Sequence, residues 1–141
     1  MGYFDEEIIR DFKKAKTNLV ILSDAELDLI VKNINKNIPF SGSQIAWHLL
    51  ENSAYLGLTT SQAALKALTG KIKQVAKGCV FIVGDSTDHA YSVNVKDITV
   101  ALELFSAIPQ HTYLTQANHN WIACLSFEGH IDFSNLPPQN T

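Results

Sequence analysis

The first part of the chain places hydrophobic residues at helical spacing. Apolar side chains recur every three or four positions between Tyr3 and Lys16, which predicts an amphipathic helix over that range. Ser23 followed by Glu26 forms a capping-box pattern and predicts the start of a second helix. This helix should end before Pro39, because the residue that precedes a proline avoids helical geometry.

A third helix is predicted after a stretch that fits no single pattern. Residues 38–58 contain the run Ile45–Leu50, which suits a helix or a buried strand equally well, because short apolar runs have no diagnostic period. Thr59 and Gln62 then have capping-box spacing, and Gly78 is a natural helix stop.

The pattern changes to strands and hairpins after Gly78. Polar turns separate short apolar runs, and only one helix, capped by Asp97 and extending to residue 106, interrupts them. The predicted strands are Cys79–Gly84, Ala90–Val95, His111–Thr115, Trp121–Phe127 and His130–Phe133. We therefore expect an α+β fold. A mostly antiparallel sheet of about five strands should contain the Ala90–Val95 and Glu128-Gly129 hairpins as neighbours, and the N-terminal helices with helix 97–106 should cover its one apolar face. The polar end that begins with Leu136-Pro137-Pro138 predicts a frayed tail.

Composition supports one cytoplasmic domain spanning residues 1–141. The chain is 46% hydrophobic, which excludes a disordered protein, and 141 residues are enough for one buried core. No apolar run approaches the roughly 20 residues of a membrane span, so we expect no membrane partner. Cys79 and Cys124 lie within predicted strands, and we expect both to be buried thiols in the core.

The two halves of the sequence differ in charge. Residues 1–77 carry a net charge of +2, whereas residues 78–141 carry one lysine against six acidic side chains, a net charge of −5. The acidic half should repel nucleic acid and attract basic partners. The lysines of the 66–77 stretch have no aromatic residues between them, so a solvated helix face explains them better than direct nucleic-acid binding.

No cofactor or metal motif is present in the sequence. The five histidines and two cysteines lack the paired spacings of metal ligands, so we expect neither a metal nor a cofactor. The remaining enzymatic alternative is a site assembled in space from Asp88, His89 and His119, in which a carboxylate orients an imidazole.

One segment resembles a known class of proteins. The segment His111–Phe133 contains a strand, a loop, a strand led by Trp121, the acidic turn Glu128-Gly129 and a short final strand. This order resembles the closing meander of immunity proteins from bacterial contact-dependent inhibition and other polymorphic-toxin systems. The resemblance implies a non-enzymatic binding protein that neutralises one cognate toxin domain, commonly a nuclease.

Such an inhibitor would use the acidic half of the chain. Nuclease toxins tend to be basic because they bind phosphates, so carboxylates displayed on turns would attract them. The candidate partner-binding residues lie on and beside two turns; they are Asp85, Asp88, His89, Glu128, His130 and Asp132. A self-assembling module that buries residues 38–58 in a homodimer is a further alternative.

Overall fold

The computed structural model describes residues 2–137 of the chain. In this range the helices are α1 (Tyr3–Lys14), α2 (Asp24–Asn37), α3 (Gln62–Val75) and α4 (Ile98–Ser106). The strands are β1 (Val20–Ile21), β2 (Phe40–Ser41), β3 (Gln44–Ile45), β4 (Ser53–Leu58), β5 (Cys79–Gly84), β6 (Tyr91–Asn94), β7 (Thr112–Thr115), β8 (Trp121–Leu125) and β9 (His130–Asn135). The mixture of helices with a large antiparallel sheet confirms the α+β class.

Seven of the strands form one antiparallel sheet in the order β1-β6-β5-β7-β8-β9-β4. The predicted count of about five strands was too low, because β1 and β4 add the two edges. The hairpins β5-β6 and β8-β9 are both present. The prediction that they are direct neighbours in the sheet is wrong. Helix α4 connects β6 to β7, and β7 pairs with both β5 and β8, so it separates the two hairpins.

Both faces of the sheet are covered. One face packs on α1, α3 and α4, and its core includes Leu68, Phe105 and Trp121. The opposite face packs on α2 through Ile30 and Ile34. The expectation that all the N-terminal helices cover one face is therefore wrong for α2. Successive side chains of a strand point to opposite faces of the sheet. In β5 and β8 the side chains on both faces are largely apolar, so helices can pack on either face.

The segment that fitted no pattern folds onto the second face of the sheet. β2 and β3 form a small antiparallel hairpin, and Trp47–Leu49 follows as one turn of 3-10 helix. β4 then pairs with β9, with an irregularity between Tyr55 and Gly57. Gly57 has a φ of 128°, a conformation that L-residues other than glycine rarely adopt. This bulge interrupts the alternation by which a strand is recognised in sequence.

The helix caps agree with the sequence only in part. The capping box of α2 is present, since the Ser23 hydroxyl accepts from the Glu26 N–H and the Glu26 carboxylate accepts from the Ser23 N–H. The predicted Thr59 cap is wrong, because α3 begins after Ser61. The Ser61 hydroxyl accepts the Ala64 N–H at 3.1 Å. Thr59 lies only two residues before Ser61, and the Thr59–Gln62 spacing favoured the wrong residue.

The two cysteines occupy different environments. Cys124 is buried as predicted, whereas Cys79 is exposed at the first position of β5. Leu136, predicted to lie in a frayed tail, is buried, and its N–H donates to the Asn120 carbonyl at 2.8 Å. Pro138, which belongs to the same prediction, lies outside the described residues.

Candidate functional site

Three loops meet at one end of the sheet. Thr112 at the start of β7 pairs with Gly84 at the end of β5 and with Leu125 at the end of β8. The loops 85–90, 107–111 and 126–129 therefore leave the sheet on the same side. We call this region the loop end.

Buried polar side chains hold the backbone of these loops. The Gln110 amide oxygen accepts from the Ser86 and Thr87 N–H groups at 2.9 and 3.0 Å. The His111 N–H donates to the Asp85 carboxylate at 3.0 Å, and His111 Nδ1 accepts from the Phe127 N–H at 3.1 Å. Because each loop is hydrogen-bonded to a neighbouring one, the three loops form one ordered surface.

Asp5 of α1 fixes the second half of the 85–90 loop. Its buried carboxylate accepts from the Asp88 N–H at 2.8 Å, from the His89 N–H at 3.2 Å and from the Tyr91 hydroxyl. From the sequence, Asp5 is only one of several acidic residues in a helix's first turn. The sequence signal for its burial was its spacing from Ile8. Residues three positions apart lie on the same face of a helix, and Ile8 was expected on the buried face.

A cleft opens on the second face of the sheet beside the loop end. Its volume is about 270 Å³, and the β2-β3 hairpin forms one wall. The side chains that define it are Trp47, His111, Tyr113, Cys124, His130 and Asp132. Across the mouth, the Gln44 amide nitrogen donates to the Glu128 carboxylate at 3.1 Å.

Asp132 lies on the floor of the cleft, between strands on both sides. It faces Cys124 of β8 and Tyr55 of β4 in the antiparallel register. Burial raises the pKa of the Asp132 carboxyl above its ordinary value, and the nearby His130 acts in the opposite direction. His130 in turn lies within hydrogen-bond distance of the Tyr55 hydroxyl, at 3.2 Å from Nδ1.

The cleft does not activate its thiol or its phenol. Burial, followed by the charge of Asp132, raises the pKa of the Cys124 thiol far above neutrality. Burial likewise raises the pKa of the Tyr113 hydroxyl. A thiolate is needed for nucleophilic attack, so Cys124 is a packing residue at neutral pH. Within residues 2–137, no group of three or more His, Cys, Asp or Glu side chains could hold a metal ion.

The six predicted partner-binding residues divide between the loop end and the cleft. Asp85, Asp88 and Glu128 are exposed at the loop end, and His89 is half-buried beside them. Glu128 also lines the cleft with His130 and Asp132. Asp85 and Asp132 are less free than the sequence suggested, because Asp85 bonds the His111 backbone and Asp132 is half-buried.

The alternative catalytic group is not assembled. Asp88 and His89 lie at the loop end, whereas His119 follows β7 at the opposite end of the sheet. There, the neighbouring Gln116 side chain donates to the Lys77 and Cys79 carbonyls. Burial lowers the pKa of His119, which lines a separate groove against α2. The length of β5 separates the two sets of side chains.

Comparison with known proteins returned no relative. No family, curated protein or solved structure matches the chain. Among the described residues, no helix is both long and apolar enough to cross a membrane.

Proposed function

We propose that this protein is a cytoplasmic immunity protein that binds and neutralises a cognate toxin domain. The toxin domain is basic, most simply a nuclease, and the contact is protein to protein without an enzymatic step. The observation that carries this proposal is the loop end, where Asp88 and Glu128 are exposed on loops whose backbone is bound by the buried side chains of Asp5 and His111.

Rigid carboxylates suit the recognition of a basic protein. A nuclease carries positive charge where it binds phosphates, and an opposite charge on the inhibitor accelerates encounter and selects the partner. Loops that are already ordered lose less conformational entropy on binding than flexible loops do. The three hydrogen bonds accepted by Asp5, together with those of Gln110 and His111, supply that order.

The lysine-bearing helix is not part of this surface. α3 packs on the opposite face of the sheet from the cleft, and Lys66 and Lys73 are exposed there. The Lys71 ammonium lies 5.8 Å from the centre of the Phe133 ring, which gives that lysine a packing role. The proposed interface therefore excludes α3.

The first test is co-expression with the C-terminal domain of the protein encoded immediately upstream, followed by co-purification. We expect a stable complex and protection of cells from the toxicity of that domain. If no complex forms and no protection occurs, the immunity proposal is wrong.

Charge reversal then tests the loop end. The double variant D88K/E128K should slow association by about tenfold or more at low salt and reduce its salt dependence, because steering charges act mainly on the association rate. The control E51K/E103K makes the same change in net charge at two exposed residues away from the loop end. Equal slowing in both double variants would show that only net charge matters and would contradict the proposed face.

A further inference from the structure

The cleft beside the loop end has the size of a side-chain pocket. Pockets for drug-sized molecules and cofactors usually measure about 300–1,000 Å³, whereas this cleft measures about 270 Å³. Glu128, a residue of the proposed interface, lines it. A group that enters it can therefore belong to a protein already docked at the loop end.

The floor of the cleft favours a cation. The Asp132 carboxylate emerges from the interior of the sheet, between β8 and β4, and it is half-buried. Its raised pKa shows that the neighbouring His130 does not fully offset the loss of hydration. A cation placed over this carboxylate would replace that lost hydration with a charge-assisted hydrogen bond. A bound anion would instead meet the charges of both Asp132 and Glu128.

The walls of the cleft favour a planar cation. Trp47 and Tyr113 line it, and the Tyr113 ring is held by an edge contact with Phe40 at 6.3 Å between centroids. A guanidinium group stacks on aromatic rings and bonds carboxylates with two parallel N–H donors. An ammonium group is more strongly hydrated and lacks this planar fork, so lysine fits these walls less well than arginine.

We propose that the cleft between the β2-β3 hairpin and strands β8 and β9 receives an arginine side chain of the partner protein, with its guanidinium paired to Asp132. This inference rests on the proposed function, because it names the group on the toxin domain that the immunity protein would capture. Glu128 at the mouth would guide the side chain inward, and Trp47 and Tyr113 would stack on it.

A test with a free ligand does not require the toxin. N-acetyl-arginine methylamide is titrated into the full-length protein while the Trp47 indole resonance is followed by NMR. We expect saturable shifts at Trp47. N-acetyl-citrulline methylamide, which has the same shape without the charge, and N-acetyl-lysine methylamide should bind at least about tenfold more weakly, as expected when a charge-assisted bidentate contact is lost.

Variants locate the site. D132N keeps the size of the side chain and removes its charge, so it should weaken binding of the arginine probe by about tenfold or more. E103Q, at an exposed carboxylate on α4 across the sheet from the cleft, should leave binding unchanged. Absent shifts, equal binding of the citrulline or lysine probe, or unchanged binding to a folded D132N would each overturn the inference. If the probe binds the cleft but co-purification fails, the proposed function alone is wrong. If the complex co-purifies but the probe does not bind the cleft, only the arginine-pocket inference is wrong.

Discussion

Asp132 is a charged residue at a sheet position whose neighbours are largely buried. Its carboxyl has a pKa above the ordinary value because burial disfavours the charged form. The folded state therefore holds the proton more tightly than the unfolded state. The free energy of unfolding consequently falls as the pH rises from the ordinary carboxyl pKa to the raised one, and the loss is complete above that interval.

Replacing Asp132 with asparagine should remove this loss. We expect D132N to melt at a higher temperature than the natural protein at pH 7 and the difference to shrink as the pH falls from the raised carboxyl pKa to the ordinary one. Thermal melts of both proteins from pH 3 to pH 8 measure this difference in melting temperature. A constant difference across the pH range would mean that the Asp132 charge is not the cause.

Gly84 lies directly against the side chain that organises the loop end. A Cβ atom at this position would collide with the Gln110 amide group. Gln110 is buried and bonds the Ser86 and Thr87 N–H groups, so displacing its amide would break both hydrogen bonds. The absence of a side chain at Gly84 is thus a packing requirement.

The substitution G84A should destabilise the protein by about 1–3 kcal/mol, the usual range for overpacking a close-packed site. G70A is a matched control, since Gly70 lies within α3 and a methyl group there would meet no neighbouring atom within 4 Å. It should stabilise the protein by about 0.5–1 kcal/mol, because alanine favours the helix. Urea denaturation of both variants compares them, and a neutral G84A would show that Gln110 can relocate.

At the scale of the elements, local patterns located most helices and central strands. The stripe Ile98, Ala101, Leu102 and Phe105 is fully buried in α4, and Cys79–Gly84 matches β5 residue for residue. Both signals are local, because each element repeats its own buried face at a fixed period.

The edge strands and the position of α2 could not be settled in this way. The run Leu19–Leu22, which contains β1, suits a strand or an apolar linker equally well. β1 consists of two exposed residues, and its pairing with β6 depends on a partner distant in sequence. β4 is recognised by its register with β9, across a bulge that breaks alternation. For the candidate site, turn chemistry correctly predicted that Asp88 and Glu128 are exposed. The supporting roles of Gln110 and His111 depend on contacts between loops, which no local pattern encodes.

The observed cap at the start of α3 can be tested directly. S61A should cost about 0.5–2 kcal/mol of stability, because it removes the hydroxyl that accepts the Ala64 N–H. T60A, at the exposed neighbouring residue, should change stability by less than about 0.5 kcal/mol. Chemical denaturation provides both values. Comparable losses would indicate that the helix begins elsewhere.

At the scale of the molecule, stability should decrease from the centre of the sheet to its edges. β7 and β8 have hydrogen-bonded neighbours on both sides, and all five residues of β8 are buried. β1 is an edge strand of two exposed residues, and the β2-β3 hairpin is a separate two-stranded unit. Elements with few buried contacts open without unfolding the rest.

Native-state hydrogen exchange should show this gradient. The amides of Leu114 and Ala123 should exchange only through global unfolding, whereas that of Leu22, which follows β1 and donates to the Ala90 carbonyl at 2.9 Å, should exchange through local opening with much lower protection. The denaturant dependence of each amide distinguishes the two routes. Equal protection at Leu22 and Ala123 would mean that β1 unfolds together with the centre of the sheet.

The position of β9 between β8 and β4 has a consequence for synthesis on the ribosome. β4 is translated well before β9, yet it pairs with β9 and with no other strand of the described sheet. At elongation rates of about 5–20 residues per second, β4 and the apolar face of α3 must wait for seconds before the residues that cover them emerge. A ribosome that stalls before His130 holds a nascent chain whose sheet cannot extend past β8, with the apolar surface of β4 still open to aggregation.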